Sequence, residues 1–495
     1  MSPKNIVSCL LLLMFYGCSG SQSSNQSSSS RPNILLFLVD DMGWTDTSVP
    51  FWKEEVDNNH FFKTPHMERL ASQSYVFTEA YSSSPVCSPS RVAIMTGHNP
   101  MRTGVTNWIP GEAQEESSRY LLPRWNQEGL RQGQLTLPSV LADAGYATLH
   151  IGKAHFASKG SPGADPENLG FGKSYAGTHI GSPQTFFPPY FKGDMSWRIP
   201  DLEEYAAQGM YLTDAITAVA LKALDSLSRQ DAPFFMHLSH YAVHTPIEAK
   251  EAYVKQYRKQ GKSETEAKYA AMVQSMDESL GQVMQKIEEL GLEENTVILF
   301  ASDNGGHVIK AAGSPTVNYP ATAGKGFRYE GAYRVPFMMK VPHHQPQRVV
   351  YPTISEDIFS TILAVADVFP DDYPVDGVDL LSIISEGKSG TEREKPLFWH
   401  YPHYWAGEKI RGEEEGIEPF TAIRKGKWKY VYSYDNEQSY LYNLEEDIEE
   451  QRNLVKEYAE KAQELVDLLV PQMQKLDARR PIDRLSGEPV SYPHL

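Results

Sequence analysis

Cysteine is nearly missing from this chain: three occur in 495 residues, at positions 9, 18 and 87. Cys9 and Cys18 lie close to the amino terminus, in a segment that reads as an export signal, so the remainder keeps a single thiol. A scaffold stapled by disulfides is therefore excluded. Positive charge is short as well. Lysine and arginine number 46 against 63 aspartates and glutamates, a net charge of -17, and that balance offers no basic face to nucleic acid. An anionic ligand has to be met by a few placed cations, because the field of the whole protein repels it. No apolar run reaches the roughly 18 residues that a membrane-spanning helix needs. There is no internal repeat, so a solenoid is excluded. What is present is a hydrophobic content of 41%, sufficient for a sizeable core, in a length that suits one large α/β domain with a smaller unit appended.

Lys4 precedes the apolar stretch Ile6 to Tyr16, which ends at Gly17-Cys18. The stretch suits a signal peptide over residues 1–18, and its end resembles a bacterial lipobox with Cys18 as the lipidated residue. Residues 19–31 are rich in Ser, Gln and Asn and read as a flexible tether. The expectation is an exported protein of the bacterial cell envelope, periplasmic or anchored to the outer membrane by lipid on Cys18, with plain secretion as the alternative.

Four apolar runs read as buried parallel strands. Asn33 to Val39 stops at Asp40-Asp41, and Thr296 to Ala301 runs into Ser302-Asp303-Asn304-Gly305-Gly306. Ala147 to Ile151 leads into Gly152-Lys153-Ala154-His155, and Phe234 to Leu238 leads into His240, Tyr241 and His244-Thr245-Pro246. Each strand releases ionisable residues at its carboxyl end, the edge at which open parallel sheets bind ligands. Met272, Met276, Leu280, Val283, Ile287 and Leu290 recur at helical spacing, and a second helix is expected over 210–227. Strands and helices alternate over residues 32–395, which predicts an α/β domain built on a large, mostly parallel sheet flanked by helices. Residues 396–495 change texture: short antiparallel strands at 420–424, 427–432 and 440–442, then a helix at 457–476, predict a smaller α+β subdomain.

Asp40, Asp41, Asp303 and Asn304 offer only oxygen ligands, which suit Ca²⁺ or Mg²⁺, whereas zinc asks for His or Cys. Capping would explain the Asp-Asp pair taken alone, and a tight turn the Asp-Asn-Gly-Gly fragment. The string Cys87-Ser88-Pro89-Ser90-Arg91, followed by Met95-Thr96-Gly97, resembles the maturation signature of the formylglycine-dependent sulfatases, a branch of the alkaline phosphatase superfamily. The resemblance covers nearly all of the chain after the tether and extends to the carbohydrate sulfatases of polysaccharide-degrading bacteria. It implies that a maturation enzyme, aerobic or anaerobic, converts Cys87 to formylglycine (3-oxoalanine), whose hydrate supplies the nucleophile. It implies one Ca²⁺, held by Asp40, Asp41, Asp303, Asn304 and the matured residue 87. It makes Arg91 the residue that holds the aldehyde hydrate, and Lys153 and Lys325 the sulfate-binding lysines. His155, of a Gly-Lys-x-His element, would help deprotonate residue 87, and His244, of His-Thr-Pro, would protonate the departing oxygen.

The implied activity is hydrolysis of sulfate esters on a sulfated carbohydrate, with exo action on algal oligosaccharides such as ulvan or carrageenan, or on glycosaminoglycan fragments. The segment Thr96 to Gly111 resembles the post-motif region of carbohydrate exo-sulfatases. Phe398 to Trp405 reads either as an aromatic platform for a sugar or as packing at the subdomain junction. His307 and Arg328 are further substrate candidates, and Glu330 with Arg334 reads as a structural ion pair. One alternative is a phosphonate monoester or phosphodiester hydrolase of the same superfamily, whose members carry His where Asn304 stands. A non-catalytic glycan-binding lipoprotein is another, and a hydrolase using the Cys87 thiolate a third.

Overall fold

The structure is a computed structural model that describes residues 31–109, 121–308, 314–404 and 417–495. The expected signal segment and lipid anchor, all but the last residue of the tether, Pro110-Gly111 and Trp405 lie outside the described residues. No helix among the described residues is long and apolar enough to cross a membrane.

Eight strands make the main sheet: β1 (Asn33–Val39), β2 (Tyr75–Phe77), β3 (Ala147–Gly152), β4 (Lys173–Tyr175), β5 (Phe234–Ser239), β6 (Thr296–Ser302), β7 (Phe337–Lys340) and β8 (Gln347–Val349). Their order is β8-β2-β7-β6-β1-β5-β3-β4. The run from β6 to β4 is parallel throughout; β7 is antiparallel to both its neighbours, and β8 pairs parallel with β2. The four strands expected from sequence lie side by side at the centre, β6-β1-β5-β3. Every residue of β1 is buried. Leu35, Phe37 and Val39 enter the core on one face, and Ile34, Leu36 and Leu38 enter the core on the other, which is why an unbroken apolar run specifies a strand here.

The first face is covered by α2 (Leu212–Leu227) and α3 (Glu264–Glu289), and the buried side of α3 includes Met272, Met276, Leu280, Val283 and Ile287. The chain enters α3 earlier than the apolar periodicity predicts, because Ser263 and Glu266 form a reciprocal capping box at its start. The opposite face carries α1 (Cys87–Thr96) and α4 (Ser355–Ala366). All ten residues of α1 are buried, so it has no solvent-exposed side and leaves no amphipathic trace in the sequence. It starts at Cys87, two residues before the expected Pro89. It stops at Gly97, whose φ of 66° is left-handed and where an added Cβ would sit 2.6 Å from the Phe359 ring.

The expected carboxyl-terminal sheet forms from β9 (Leu397–Tyr401), β10 (Phe420–Lys425), β11 (Trp428–Ser433) and β12 (Gln438–Asn443), antiparallel in chain order. Its Trp399, Tyr401, Ala422 and Val431 pack with Tyr81, Phe327 and Tyr333, while Phe398, Ile423, Tyr430 and Leu441 pack on α5 (Ala459–Lys475). The chain from Arg31 to Leu495 is one compact unit.

This packing decides two open readings. Phe398, Trp399, His400, Tyr401 and His403 are buried; Trp399 donates to the Ser82 carbonyl at 2.9 Å and Tyr401 to Asn107 at 3.1 Å. The segment is junction packing, and its described residues form no exposed platform. Arg328 is likewise buried, donating to Glu418, Tyr442 and Tyr329 with its guanidinium 3.9 Å over the Tyr440 ring. It ties the small sheet to the main body and is no rim residue. The expected Glu330–Arg334 ion pair is present at 2.9 Å. Lys429 bridges Glu330 and Glu450 at 3.1 and 2.8 Å, all three fully enclosed or nearly so. Replacing Lys429 by Met leaves the buried Glu450 without its cation and Glu330 with Arg334 alone, and the expected loss of unfolding free energy is about 3–5 kcal/mol, read as a lowered urea midpoint with unchanged slope.

Candidate active site

The four central strands end at one edge, and each hands on its ionisable residues within a few positions. Sharp turns aim them back over the sheet. Asp41 and His155 have left-handed φ values of 60° and 57°, a region that Asp and His enter more readily than branched residues. Gly152 has a φ of 100°, and a Cβ there would fall 1.9 Å from the Ser239 carbonyl oxygen, so only glycine lets β3 turn so close to β5. Lys153 N then donates to that same carbonyl at 2.8 Å. Above this edge sits the first turn of α1, with Cys87 as its first residue and no side-chain cap at Val86, and helix amino termini attract anions.

Arg91 fastens α1 to the sheet. Its Nε donates to Asp303 at 2.7 Å, and Nη1 donates to the Lys153 carbonyl at 2.9 Å and to Ser239 Oγ at 2.7 Å. Its Nη2 lies 3.7 Å from Asp40 and makes no hydrogen bond among the described residues. Lys153 Nζ donates to both Asp40 oxygens at 2.8 and 2.7 Å. Lys325 Nζ does the same to Asp41, at 2.7 and 2.8 Å. Asp303 also accepts the Asp41 amide at 3.1 Å, and Asn304 Nδ2 donates to Asp41 at 2.8 Å. The structure thus brings Asp40, Asp41, Asp303, Asn304, Arg91, Lys153 and Lys325 into one buried cluster.

Both catalytic histidine candidates join it. His155 Nε2 donates to the Ile109 carbonyl at 2.8 Å, which leaves Nδ1 unprotonated and facing Ser88 Oγ at 3.1 Å and Cys87 Sγ at 3.4 Å. His244 Nδ1 donates to the Thr245 carbonyl at 2.9 Å, and its Nε2 lies 3.5 Å from Asp41. His307, the weaker candidate, lies near enough for its charge to act on Asp41. His240, by contrast, is buried beneath the edge and bonded to Ser279 at 2.9 Å.

The cluster's electrostatics follow from burial. Loss of solvent pushes the Asp40 carboxyl well above the usual carboxylate range; Lys153 opposes this, and Asp303 and Asp41 add to it. Burial acts on Asp41 in the same sense, but Lys325 foremost, with His244 and Lys153, holds it below the usual range. Burial, reinforced by Lys153, keeps His155 neutral, and burial with Lys325 does so for His244. Lys325 stays charged in spite of burial because Asp41, Cys87 and Asp40 surround it.

These residues fit a hard cation. Asn304 Oδ1 is buried and has no hydrogen-bond partner among the described residues, a lone pair left over in a pocket of carboxylates. Oxygen donors of this kind suit Ca²⁺ or Mg²⁺. Ligand atoms of Asp40, Asp41 and His244 lie within 4.8 Å of one another. Several roles escaped the sequence reading. Ser239 carries no motif of its own, and Ser88 and the Ile109 carbonyl, though inside quoted segments, acquire roles only through the fold. Ser302 is another, accepting the Met42 amide at 3.0 Å.

A mostly parallel sheet of this order, with a buried thiol and an acid–cation cluster at its carboxyl edge, is an alkaline phosphatase-like hydrolase fold. The chain belongs to the sulfatase family: the sulfatase family model matches residues 32–368, and the model for the C-terminal part of N-sulphoglucosamine sulphohydrolase matches residues 323–479. A sulfatase of Formosa agariphila is 28% identical, covering 92% of this chain and 90% of its own. The N-acetylgalactosamine-6-sulfatase of Sus scrofa is 31% identical over 74% of this chain and 68% of its own. Among solved structures, Ps i-CgsB in complex with k-i-k-neocarrahexaose shares the fold with a TM-score of 0.71 at 24% identity, covering 90% of this chain and 92% of the other. The protein is a sulfatase.

Ser88 Oγ accepts the Ile109 amide at 3.0 Å while facing His155. Ser88→Ala strands that buried N–H, and unfolding in urea should show a loss of about 1–3 kcal/mol.

Proposed function

We propose that this sulfatase removes sulfate from a sulfated carbohydrate through residue 87 matured to formylglycine, with Ca²⁺ held by Asp40, Asp41, Asp303 and Asn304. The observation that carries the reading is the meeting of Cys87, three buried cations and both histidines over one acidic edge. The matured side chain would supply a hydrated aldehyde oxygen as nucleophile, and a bound Ca²⁺ would supply positive charge facing the sulfate oxygens. A divalent ion among Asp40, Asp41 and Asn304 would also relieve Lys153 and Lys325 of their present carboxylates, leaving both ammonium groups to grip sulfate. Arg91, bonded at Nε and Nη1, holds the first turn of α1 in register with that grip. His155, neutral and bare at Nδ1, is placed to take a proton from residue 87. His244 presents Nε2 to the same space; with Nδ1–H held by the Thr245 carbonyl, it is placed to hand a proton to the departing sugar oxygen only in the imidazolium form, protonated at Nε2 as well. The carbohydrate class rests on relatives named for sulfated sugars, the 31%-identical N-acetylgalactosamine-6-sulfatase among them.

Cys87 is 3% exposed and its whole helix is enclosed. A maturation enzyme must therefore reach the string Cys87 to Arg91 before the chain folds. The apolar segment before Cys18 supports export, with lipid attached at Cys18.

Mass analysis of the peptide containing residue 87 should show the aldehyde in place of the thiol. Cys87→Ala should abolish turnover of sulfated oligosaccharides; an unmodified thiol in fully active protein overturns the reading. Faster turnover of phosphate than sulfate on one leaving group would favour the phosphonate and phosphodiester hydrolases of the superfamily instead.

His244→Ala should slow alkyl sulfates by about 10²–10⁴-fold, the usual contribution of a general acid, and aryl sulfates much less, because a phenolate leaves without protonation. Equal losses on both substrates in steady-state assays would remove His244 from that role.

A further inference from the structure

The edge that carries the active site continues past β6 to β7, β2 and β8, and there it opens into a cavity of about 440 Å³. Trp52, Lys53, Arg334, Arg348 and Arg424 line it with Glu79 and Glu445. Its charge is not cancelled. Glu79 is bound to Arg424, and Glu445 lies 3.9 Å from Lys427 of the neighbouring wall. Lys53 has no carboxylate partner among the described residues, and its ammonium lies 5.2 Å over the Trp52 ring. Among the described residues Arg348 donates only to the backbone carbonyls of Pro50 and Trp52, at 2.9 and 3.1 Å. Arg334 is 2% exposed; Nε is bonded to Glu330 at 2.9 Å and Nη1 to the Thr78 carbonyl at 3.5 Å. Trp44, three residues beyond Asp41, lies 5.0 Å from the Arg334 guanidinium and 5.5 Å from Trp52, two residues of the cavity lining. A second cavity of about 430 Å³ shares Glu79, Val350, Arg424 and Glu445 with the first and carries the groove on to Trp428.

We propose that this groove is an accessory binding site for an anionic polysaccharide, with the exposed Lys53 and Arg348 taking sulfate or carboxylate and Trp52 and Trp428 at either end taking sugar faces. The ligand class rests on the carbohydrate sulfatase reading. The whole protein, at a net charge of -17, repels such a polymer, so attraction must arise from a local cluster of this kind. Position supports the assignment too. Neighbouring strands lie about 4.8 Å apart, which puts the end of β2 roughly 14 Å along the edge from the end of β1. An oligosaccharide chain covers that distance and a single sugar does not.

Affinity electrophoresis through gels containing carrageenan or chondroitin sulfate, with dextran gels as the uncharged control, tests the site on the full chain. Wild-type protein should be retarded by the sulfated polymers, and less so as salt rises. Lys53→Gln combined with Arg348→Gln should weaken retention by roughly tenfold while turnover of a sulfated monosaccharide is unchanged. If the double variant misfolds, Lys53→Gln alone, on an exposed side chain, should still weaken retention. Retention equal to wild type in folded variants, or no retardation of the wild type beyond that in dextran, overturns the groove. Failure of the sulfatase reading shows differently, as absence of turnover on every sulfated sugar with the variant's retention still reduced.

Discussion

Buried charge matched against buried charge is the constraint on which this structure depends. Asp40, Asp41 and Asp303 face Arg91, Lys153 and Lys325, all removed from solvent. Each such group costs several kcal/mol to desolvate, and the cost is met only when partners and hydrogen bonds are complete. The partners come from different parts of the chain: the acids follow β1 and β6, the cations come from α1, the turn after β3 and the segment before β7. No one of these elements can be buried without the others, so the cluster is at once the chemical site and the clasp of the sheet's carboxyl edge.

The same matching fixes where the nucleophile precursor stands. Residue 87 opens a helix with no exposed side, and four residues on, Arg91 reaches Asp303, the Lys153 carbonyl and Ser239. Three strands therefore hold one helix at one height above the sheet. A reacting group positioned this way loses little freedom on reaching the transition state, which is where much of an enzyme's rate advantage arises. His155 is set by the same economy of contacts: its Ile109 bond decides the tautomer, and the tautomer decides which nitrogen faces residue 87.

Much of this was legible in the sequence because strand ends and motifs are local. Runs such as Asn33 to Val39 are buried on both faces and so cannot be polar anywhere, and the residues after them are forced to the sheet edge. What stayed hidden depends on tertiary contact. β2, β4, β7 and β8 are three or four residues long, too short for periodicity to register. The all-buried α1 has no amphipathic rhythm, and its start was legible only to within two residues. Arg328 and the Phe398 to Tyr404 segment have the composition of ligand-binding residues, yet they sit where two sheets meet, and composition does not distinguish a buried aromatic cluster from an exposed one. The parts played by Ser88 and Ser239 could not be read, because a serine becomes a histidine partner or an arginine anchor only through its neighbours.

The small sheet follows from the same logic. Lys325 belongs to a segment with little regular structure, and such a segment cannot place an ammonium group by itself. Lys325 N donates to the Gly306 carbonyl and Gly326 N to the Pro85 carbonyl, at 3.1 and 2.9 Å, so the segment is laced to the loops beside Asn304 and Cys87. From the other side, Thr322 donates to the Glu449 carbonyl at 2.6 Å, Lys429 donates to the Arg328 carbonyl at 3.1 Å, and Glu330 joins Lys429 and Glu450. The carboxyl-terminal sheet thus acts as a brace for the Lys325 segment. It contributes none of the ten candidate metal and catalytic residues, yet the geometry of one of them rests on its packing. That dependence gives a physical reason for the sheet to be joined to the catalytic fold by a buried ion network and by aromatic packing, and not by a flexible linker.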